Sequence, residues 1–390
     1  MSPAARRGVV SPLQWLALLV AVAAVVVAGI GGRGSPADFY RGYLVAYAYW
    51  LSLTLGSLAM VMLIQLKRAQ WGQVTLRYLE AGAATLPAMA VLFIPVAFGL
   101  PYLYPWADPL AVAADPLLAH KQAYLNVPFF LARAGFYFAV WLVCTYGMLR
   151  WSRRYELSGD PRLARRLQQL SAAGLALLGL TATFAAIDWL MSLEPHWYSS
   201  VYGSMVAMGG VLGAFALSTA LAALAARRAT WRGWVPPRVL NDLGSLLLAF
   251  VLLWAYLAFS QYLIIWSGNL PEEVVWYTRR LTAGWRLVLL GLIVGQFALP
   301  FSLLVVRGVK RSAWALAAIA ILIVAARYLD VYWLVKPALT ASWHWLDPVL
   351  ALGMGGLWVV AFVWRLGQVP LRPGVRPGAQ PAPEAHRARA

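Results

Sequence analysis

The chain has 390 residues, of which 62% are hydrophobic and only 12% are charged. A soluble domain is about 45–50% apolar and about 25% charged, so this composition excludes a soluble enzyme and indicates a membrane protein. The net charge of +18 is typical of nucleic-acid-binding proteins, but here the basic residues lie in short loops between apolar runs, where anionic lipid head groups are their natural neighbours.

Ten apolar runs follow one another along the chain, each close to the length of about 20 residues that a membrane-spanning helix needs. The predicted helices are Leu13–Ile30, Tyr43–Leu66, Ala81–Leu100, Val127–Leu149, Leu170–Leu190, Val201–Ala225, Leu243–Trp266, Trp285–Val306, Ala313–Val335 and Trp345–Trp364. The first run follows Arg6 and Arg7, but it is longer than the apolar core of a signal peptide, so we expect it to remain as a helix. The sequence therefore predicts an all-α polytopic membrane protein with about ten transmembrane helices.

The basic residues predict the orientation of these helices. Most of the Lys and Arg residues lie in the connecting segments on the side of the N-terminus, with a dense group between residues 150 and 166. Because positive loops face the cytoplasm, both termini are predicted to be cytoplasmic. Residues 1–12 are then a cytoplasmic N-terminus and residues 13–366 the transmembrane domain. The Pro-, Ala- and Arg-rich residues 367–390 are predicted to be a disordered cytoplasmic tail.

The order of the helices allows an internal division of the transmembrane domain. Helices two to five (approximately residues 43–190) and helices six to nine (201–335) both begin on the outer side, so they could form two parallel four-helix bundles with a flanking helix at each end. Sequence similarity between the two sets is too faint to establish this division by itself.

Cysteine and histidine positions restrict the redox centres that the chain could hold. The single cysteine, Cys144, cannot form an internal disulfide or hold an iron–sulfur cluster. A transmembrane haem needs histidines within the spans. The four histidines, however, lie in or beside outer segments or in the tail: His120, His196, His344 and His386. We therefore expect no haem and no iron–sulfur cluster in this chain.

Ionisable side chains inside a bilayer are costly, so those within or beside the predicted spans are candidates for function. Four of them lie toward the outer side: Arg133, Asp188, Arg327 and Asp330. Arg327 and Asp330 are three residues apart on one helix, so they share a face and can pair. Two interpretations stay open for this set: a polar patch that conducts protons or lines a quinone site, or buried ion pairs that fix helix register.

Other candidates lie closer to the two membrane surfaces. Glu80 and Asp242 are predicted at the cytoplasmic N-termini of the third and seventh helices, where the helix dipole favours an acid even without a proton-conducting role. Trp189 and His196 follow Asp188 into an aromatic outer loop and join it as candidates for a quinone or proton pathway. The acids of the outer loops are candidates for docking a partner domain: Glu194, Glu272 and Glu273.

Several motifs resemble one family of membrane proteins. They are Phe259-Ser-Gln-Tyr-Leu-Ile-Ile-Trp-Ser-Gly-Asn-Leu-Pro-Glu-Glu273, Asp188-Trp-Leu-Met-Ser-Leu-Glu-Pro-His-Trp197, Trp71-Gly72, Glu80, Pro87, Tyr104-x-Trp106, Lys121-x-x-Tyr-Leu-Asn126 and Trp343-His-Trp-Leu-Asp347. Together, from about residue 40 to residue 364, they resemble a ten-helix membrane subunit of bacterial alternative complex III, the one that is often labelled its second quinone-binding subunit. That family belongs to the polysulfide-reductase membrane-anchor (NrfD-like) superfamily.

The resemblance implies an integral subunit of a quinol:cytochrome c (or other periplasmic acceptor) oxidoreductase in the bacterial plasma membrane. Quinone or quinol is the cofactor that it implies. The implied partners are a homologous NrfD-like membrane subunit and the iron–sulfur and haem c subunits that carry electrons on the outer face. Such a subunit would support quinol oxidation, with proton conduction as an additional role, as part of a complex rather than as an enzyme alone.

Two alternatives to this function remain open. The chain could be a structural anchor that only docks the redox subunits through its outer loops. It could also be a secondary transporter, because prolines such as Pro87, Pro95 and Pro300 could break helices. The middle of the predicted spans holds few polar groups, which argues against a transporter.

Overall fold

The structure is a computed structural model that describes residues 12–67, 70–228, 234–340 and 342–370. Its α-helices are α1 (Pro12–Gly34), α2 (Pro36–Lys67), α3 (Gln70–Ala83), α4 (Leu86–Val91), α5 (Ile94–Phe98), α6 (Leu100–Leu103), α7 (Pro109–Ala114), α8 (Pro116–Lys121), α9 (Val127–Ser158), α10 (Pro161–Trp189), α11 (Tyr202–Ala226), α12 (Pro237–Gly268), α13 (Pro271–Arg280), α14 (Ala283–Leu292), α15 (Leu299–Val305), α16 (Arg307–Arg311), α17 (Ala313–Leu339) and α18 (Leu346–Gly367). Short 3₁₀ turns cover Pro105–Ala107 and Met191–Leu193, and a π-helical segment covers Ile293–Ala298. These described residues contain no β-strand.

Ten helical segments of the described residues are long and apolar enough to cross a membrane. The prediction of an all-α polytopic membrane protein with ten spans is therefore confirmed. Three of these spans combine more than one element: Trp71–Phe98, Pro161–Leu193 and Gly284–Val305. The predicted tail from residue 371 onward and the first eleven residues lie outside the described ranges.

Several helices extend beyond their apolar runs, because a helix ends where the backbone is capped and not where the hydrocarbon core ends. Helix α9 continues to Ser158, nine residues past the predicted end, and is terminated by Gly159 at φ 67°. Glycine adopts this left-handed conformation without steric cost. Asp160 then caps α10 by accepting a hydrogen bond from the backbone N–H of Arg162, and Pro161 occupies the first helical position.

The third span differs most from the prediction. It begins at Trp71 rather than at residue 81, and it is interrupted near Pro87 and Pro95, where α4 and α5 begin. Glu80 is consequently the eleventh of the 14 residues of α3, so its predicted position at a helix N-terminus is wrong. Asp242 lies in the second turn of α12, because that helix begins six residues before the predicted start.

Helices α2 and α11 lie at the centre and connect the two halves of the molecule. Helix α2 packs against α3, α10, α11, α17 and α18, and α11 packs against α12 and α17 as well. A Cβ atom on Gly56 would overlap the backbone carbonyl of Gly210, so these two helices touch through their backbones. One continuous hydrophobic core results, extending across both predicted bundles.

Small residues also join the first and last spans. Gly353 of α18 lies against Ala24 of α1, and Gly356 lies against Ala17 and Ala21. These intramembrane glycines are therefore helix-packing contacts. The opposite face of α1 exposes large apolar side chains such as Leu19, as expected for a helix facing lipid.

Candidate functional site

Asp188, the penultimate residue of α10, is fully buried and lies at the centre of the Asp188 cluster, which comprises Asp188, Arg133, Tyr124 and Tyr137. Arg133 donates from Nε to Oδ2 at 2.8 Å and from Nη2 to Oδ1 at 3.1 Å. The hydroxyl of Tyr124 donates to Oδ1 at 2.9 Å, and that of Tyr137 donates to Oδ2 at 2.7 Å. Each carboxylate oxygen thus accepts two hydrogen bonds, so the ionised form of Asp188 is fully satisfied.

Local sequence explains how α9 contributes to this cluster. Arg133 and Tyr137 are four residues apart, so both project from one helix face toward α10. Tyr124 precedes the helix; its carbonyl accepts a hydrogen bond from Arg133 at 2.9 Å, and its ring lies 3.8 Å below the guanidinium. Burial, together with the charge of Asp188, raises the pKa of Tyr124 to about 12, so this phenol remains a hydrogen-bond donor at neutral pH. Arg133 lies two turns into α9.

A cavity of about 170 Å³ lies beside this cluster, between α2, α10 and α11. Its aromatic lining consists of Tyr47, Phe93, Trp141 and Trp189, and the remaining lining is mostly Leu, Ala, Gly and Val. Trp141 donates its indole N–H to Thr181 at 2.8 Å, and Tyr47 donates its hydroxyl to the carbonyl of Met89 at 3.1 Å. The indole N–H of Trp189 is buried and has no hydrogen-bond partner among the described residues. The indole N–H of Trp189, unlike the polar groups of Trp141 and Tyr47, is therefore not engaged in a hydrogen bond with the described residues.

A second buried group, the Arg327 cluster, comprises Arg327, Asp330, Trp254 and Gln296. Arg327 forms an ion pair with Asp330, which confirms the pairing expected from their spacing. Trp254 donates its indole N–H to Asp330 at 3.0 Å, and the Gln296 amide donates to the same oxygen at 3.4 Å. In the described part of the chain, however, the guanidinium nitrogens have no acceptor in hydrogen-bonding geometry, and neither has Oε1 of Gln296 a donor. This cluster is polar, buried and incompletely satisfied.

The Arg327 cluster lies near the middle of its membrane-spanning helices. Arg327 is the fifteenth of the 27 residues of α17, and Gln296 is the thirteenth of the 22 residues of its span. The middle of these two spans therefore holds a polar cluster, which weakens the argument against a transporter. The guanidinium lies directly against Gly209 of α11, where any Cβ atom would overlap it.

Sequence reasoning missed Gln296 and Trp254. Gln296 belongs to the π-helical segment, a local widening of the helix that is frequent at functional sites. Its signal in the sequence was a lone amide in an apolar run, four residues before Pro300. Trp254 carried no signal, because tryptophan is common throughout this chain and only the fold places its indole beside Asp330.

The predicted inner acids lie in different surroundings. Glu80 is buried and paired with Arg77 at 2.6 Å, and it accepts a hydrogen bond from Ser152 at 2.6 Å. Arg77 also pairs with Glu156. Asp242 is exposed. Glu80 is thus held by a polar network between α3 and α9, whereas Asp242 lies at the surface.

The outer acids are also divided by the fold. Glu194 is 8% exposed and pairs with Arg280 at 2.8 Å and with Arg279 at 3.1 Å. Arg280 is buried beneath Trp276, and burial lowers the pKa of its guanidinium while Glu194 opposes that change. Both oxygens of Glu194 are therefore committed inside the chain.

The two other predicted docking acids, both in α13, lie closer to solvent. Glu272 is exposed and Glu273 is half-buried, in the first turn of the helix. His196 is exposed as well, and its Nε2 lies 2.6 Å from Asp115.

The structure also contains a buried pair that the sequence did not single out. Lys336, at the end of α17, donates to Asp347 at 2.6 Å, and both side chains are buried. Tyr332 and the backbone N–H of His344 complete the shell of this carboxylate at 2.9 and 3.0 Å. The spacing of eleven residues across a turn gives no local sign of this contact.

Comparison with protein families and with curated proteins finds no match to this chain. Within the described residues, no three His, Cys, Asp or Glu side chains gather as a metal site. The link to alternative complex III therefore rests on the sequence motifs alone.

Proposed function

We propose that this chain is an integral membrane subunit of a quinol-oxidising respiratory complex, and that the cavity beside Trp189 receives a quinone ring. The observation that carries the proposal is the size and lining of this cavity. A cavity of roughly 150 Å³ is large enough for a benzene ring, so about 170 Å³ accommodates one six-membered ring. Aromatic and aliphatic walls suit such a ligand.

The wall that α2 gives to the cavity suits the isoprenoid tail of a quinone. Its wall on α2 is a stripe of small and branched residues at helical spacing: Leu44, Ala48, Leu51, Leu55 and Ala59. Fifteen residues of helix rise about 22 Å, so the stripe follows the membrane for four turns. Such an apolar wall suits an isoprenoid tail, and Trp189 of the aromatic lining is the last residue of α10.

The indole N–H of Trp189 supplies the polar contact that such a ligand needs. A quinone carbonyl oxygen accepts a hydrogen bond, and an unpaired buried donor gains most from finding an acceptor. Asp188 precedes Trp189 directly, so its four hydrogen bonds hold the end of α10 in place. Asp188 acts here as a positioning residue.

Proton conduction is the second part of the proposal. Buried polar atoms that lack partners are usually satisfied by internal water. The Arg327 cluster offers several such atoms around the carboxylate of Asp330, and it lies near the middle of its membrane-spanning helices. A hydrated carboxylate at this depth is a suitable relay for a proton.

The proposed setting of the chain follows the resemblance. Its partners are a homologous NrfD-like subunit and iron–sulfur and haem c subunits, which pass electrons to a periplasmic acceptor. The distribution of arginines supports cytoplasmic termini in a bacterial plasma membrane. Purification of the tagged chain in mild detergent tests this setting: multi-haem and iron–sulfur subunits with quinol oxidation activity should co-purify, and a colourless chain without partners would exclude it.

Trp189→Phe in the assembled complex tests the quinone site. The change keeps the aromatic ring but removes the N–H, so KM for a short-chain quinol should rise about tenfold, the value of roughly one hydrogen bond, with kcat nearly unchanged. Trp358→Phe is the matched control, because this buried tryptophan lies outside the cavity lining and its N–H donates to Thr54, so KM should stay unchanged. An unchanged KM for Trp189→Phe would refute the site.

A structural anchor is the second candidate function, and one observation favours it. The carboxylates of Asp188 and Glu194 are both engaged inside the chain, which is how ion pairs that fix helix positions are arranged. Charge reversal of exposed Glu272 then distinguishes the two functions. If Glu272→Lys releases the peripheral subunits while Trp189→Phe leaves KM for the quinol unchanged and Asp330→Asn leaves turnover and proton release unchanged, the chain is an anchor.

A further inference from the structure

An open groove of about 530 Å³ lies between α9 and α10, away from the Trp189 cavity. Its apolar lining is formed by Leu142, Val143, Gly147, Trp151 and Leu170, and its polar rim by Tyr146 and Arg150. Positions 143, 146, 147 and 150 recur at three- and four-residue intervals, so they lie on one face of α9.

The polar rim of the groove lies at the depth of lipid head groups. Helix α9 begins at Val127, and the 23 residues from there to Arg150 rise about 35 Å. The hydrocarbon core of a bilayer is about 30 Å thick. Arg150 therefore reaches the head-group region of the leaflet opposite Asp188, while Val143 and Leu142 remain at the depth of acyl chains.

The charge at the rim is uncompensated. Arg150 is exposed and donates to the hydroxyl of Tyr146 at 3.0 Å, and no ion pair of the described residues includes it. Glu156, the nearest acid along the helix, already pairs with Arg77 and Arg153. The surrounding segment adds further exposed arginines, including Arg154 and Arg162, so the rim attracts anions.

Gly147 forms the floor of the groove. A Cβ atom at this position would lie 2.9 Å from Leu170, so the glycine lets Leu170 approach α9 and leaves the space above it open. A larger side chain at residue 147 would fill that space.

We propose that this groove binds an anionic phospholipid. The Arg150 guanidinium and the Tyr146 hydroxyl donate hydrogen bonds to the phosphate, and the first methylene groups of an acyl chain lie over Gly147 against Val143. A guanidinium binds phosphate strongly and with defined geometry. This site is separate from the proposed quinone cavity, and its existence does not depend on the proposed function.

The test is a lipid titration of the delipidated full-length chain, followed by native mass spectrometry. Phosphatidylglycerol is the anionic probe and phosphatidylcholine the zwitterionic one. The native chain should bind one phosphatidylglycerol saturably and at least tenfold more tightly than phosphatidylcholine. Arg150→Gln should weaken phosphatidylglycerol binding about tenfold, the value of one hydrogen bond to a charged group. Gly147→Leu should abolish it, because the leucine fills the groove.

Arg154→Gln is the matched control, since Arg154 is exposed one turn further along α9 but does not line the groove. It should change the affinity less than twofold. Tyr146→Phe, which removes one hydroxyl from an exposed side chain, gives a second measure and should weaken binding severalfold. The proposal would be overturned if Arg150→Gln and Arg154→Gln weakened binding equally, or if both lipids bound with equal affinity. It would also be overturned if a correctly eluting Gly147→Leu chain bound phosphatidylglycerol as the native chain does. Recovery of a protein segment in this groove, rather than a lipid, would do so as well.

Discussion

The Asp188 and Arg327 clusters are both buried arginine–carboxylate pairs, yet their hydrogen bonding differs. Asp188 accepts four hydrogen bonds from Arg133, Tyr124 and Tyr137. Arg327 has only its ion pair with Asp330, and its guanidinium nitrogens lack acceptors in hydrogen-bonding geometry within the described residues. The carboxylate of Asp188 therefore has its hydrogen-bond partners within the chain, whereas the guanidinium of Arg327 lacks acceptors among the described residues.

This difference teaches that burial of charge alone does not identify a functional group. A satisfied buried pair fixes helices in place, because all of its polar atoms already have partners. At an unsatisfied pair, an internal water molecule can form hydrogen bonds that the protein does not supply, and such water can carry a proton. We therefore propose a structural role for the first cluster and a proton-handling role for the second.

The largest expected effect comes from Asp188→Asn. The amide leaves Arg133 buried without a counter-charge and places an NH₂ group among donors, so the free energy of unfolding should fall by about 3–5 kcal/mol. Thermal unfolding of the detergent-solubilised chain measures this loss. Asp242→Asn is the control, because that side chain is exposed and its change should stay within about 0.5 kcal/mol. A similar loss from both variants would contradict the structural role.

The next effect concerns the position of Arg327. Gly209→Ala puts a methyl group where the guanidinium lies, so we expect a loss of about 1–3 kcal/mol from overpacking. Gly135→Ala is the matched control, since a Cβ atom there meets nothing within 4 Å. That change should be neutral or stabilising by up to about 1 kcal/mol, through helix propensity. If the two variants unfold at the same temperature, Arg327 does not lie against α11.

Removal of one donor from each carboxylate sharpens the comparison. Tyr137→Phe takes a 2.7 Å hydrogen bond from Asp188 and should cost about 1.5–3 kcal/mol, the range for a bond to a charged group. Gln296→Leu removes a 3.4 Å bond together with an unpaired oxygen, so its cost should be under about 0.5 kcal/mol. Unfolding temperatures compare the two. The reverse order would show that the Arg327 cluster is the more rigid one.

The smallest effect belongs to the surface pair of half-buried Asp115 and exposed His196. Partial burial raises the pKa of Asp115. Hydrogen bonds from His196 and from the backbone N–H groups of Leu117 and Leu118 lower it by more, so the pKa of Asp115 lies below 3.8. A lowered pKa stabilises the folded state above the ordinary value, and this stabilisation is lost as the pH falls through the shifted value. Asp115→Asn should thus lower the unfolding temperature slightly at pH 7 and have no effect near pH 2. A difference that grows on acidification would contradict this sign.

The sequence alone predicted the ten spans, because a segment of about 20 apolar residues partitions into the bilayer as a helix whatever the rest of the chain does. It also predicted the Arg327–Asp330 ion pair, since a spacing of three residues fixes neighbours on one helix. It failed at the start of α3, where the helix extends past its apolar run and carries Glu80 near its end.

Only the tertiary structure decided which distant groups meet. Asp188 and Arg133 are 55 residues apart, and Trp254 and Asp330 are 76 apart, so no local pattern encodes their contact. The opening beside Trp189 and the groove above Gly147 depend equally on how neighbouring helices pack. The composition of each segment determines whether it inserts into a membrane. Which side chains meet in the interior depends on how the helices pack against one another, and that packing depends on the whole chain.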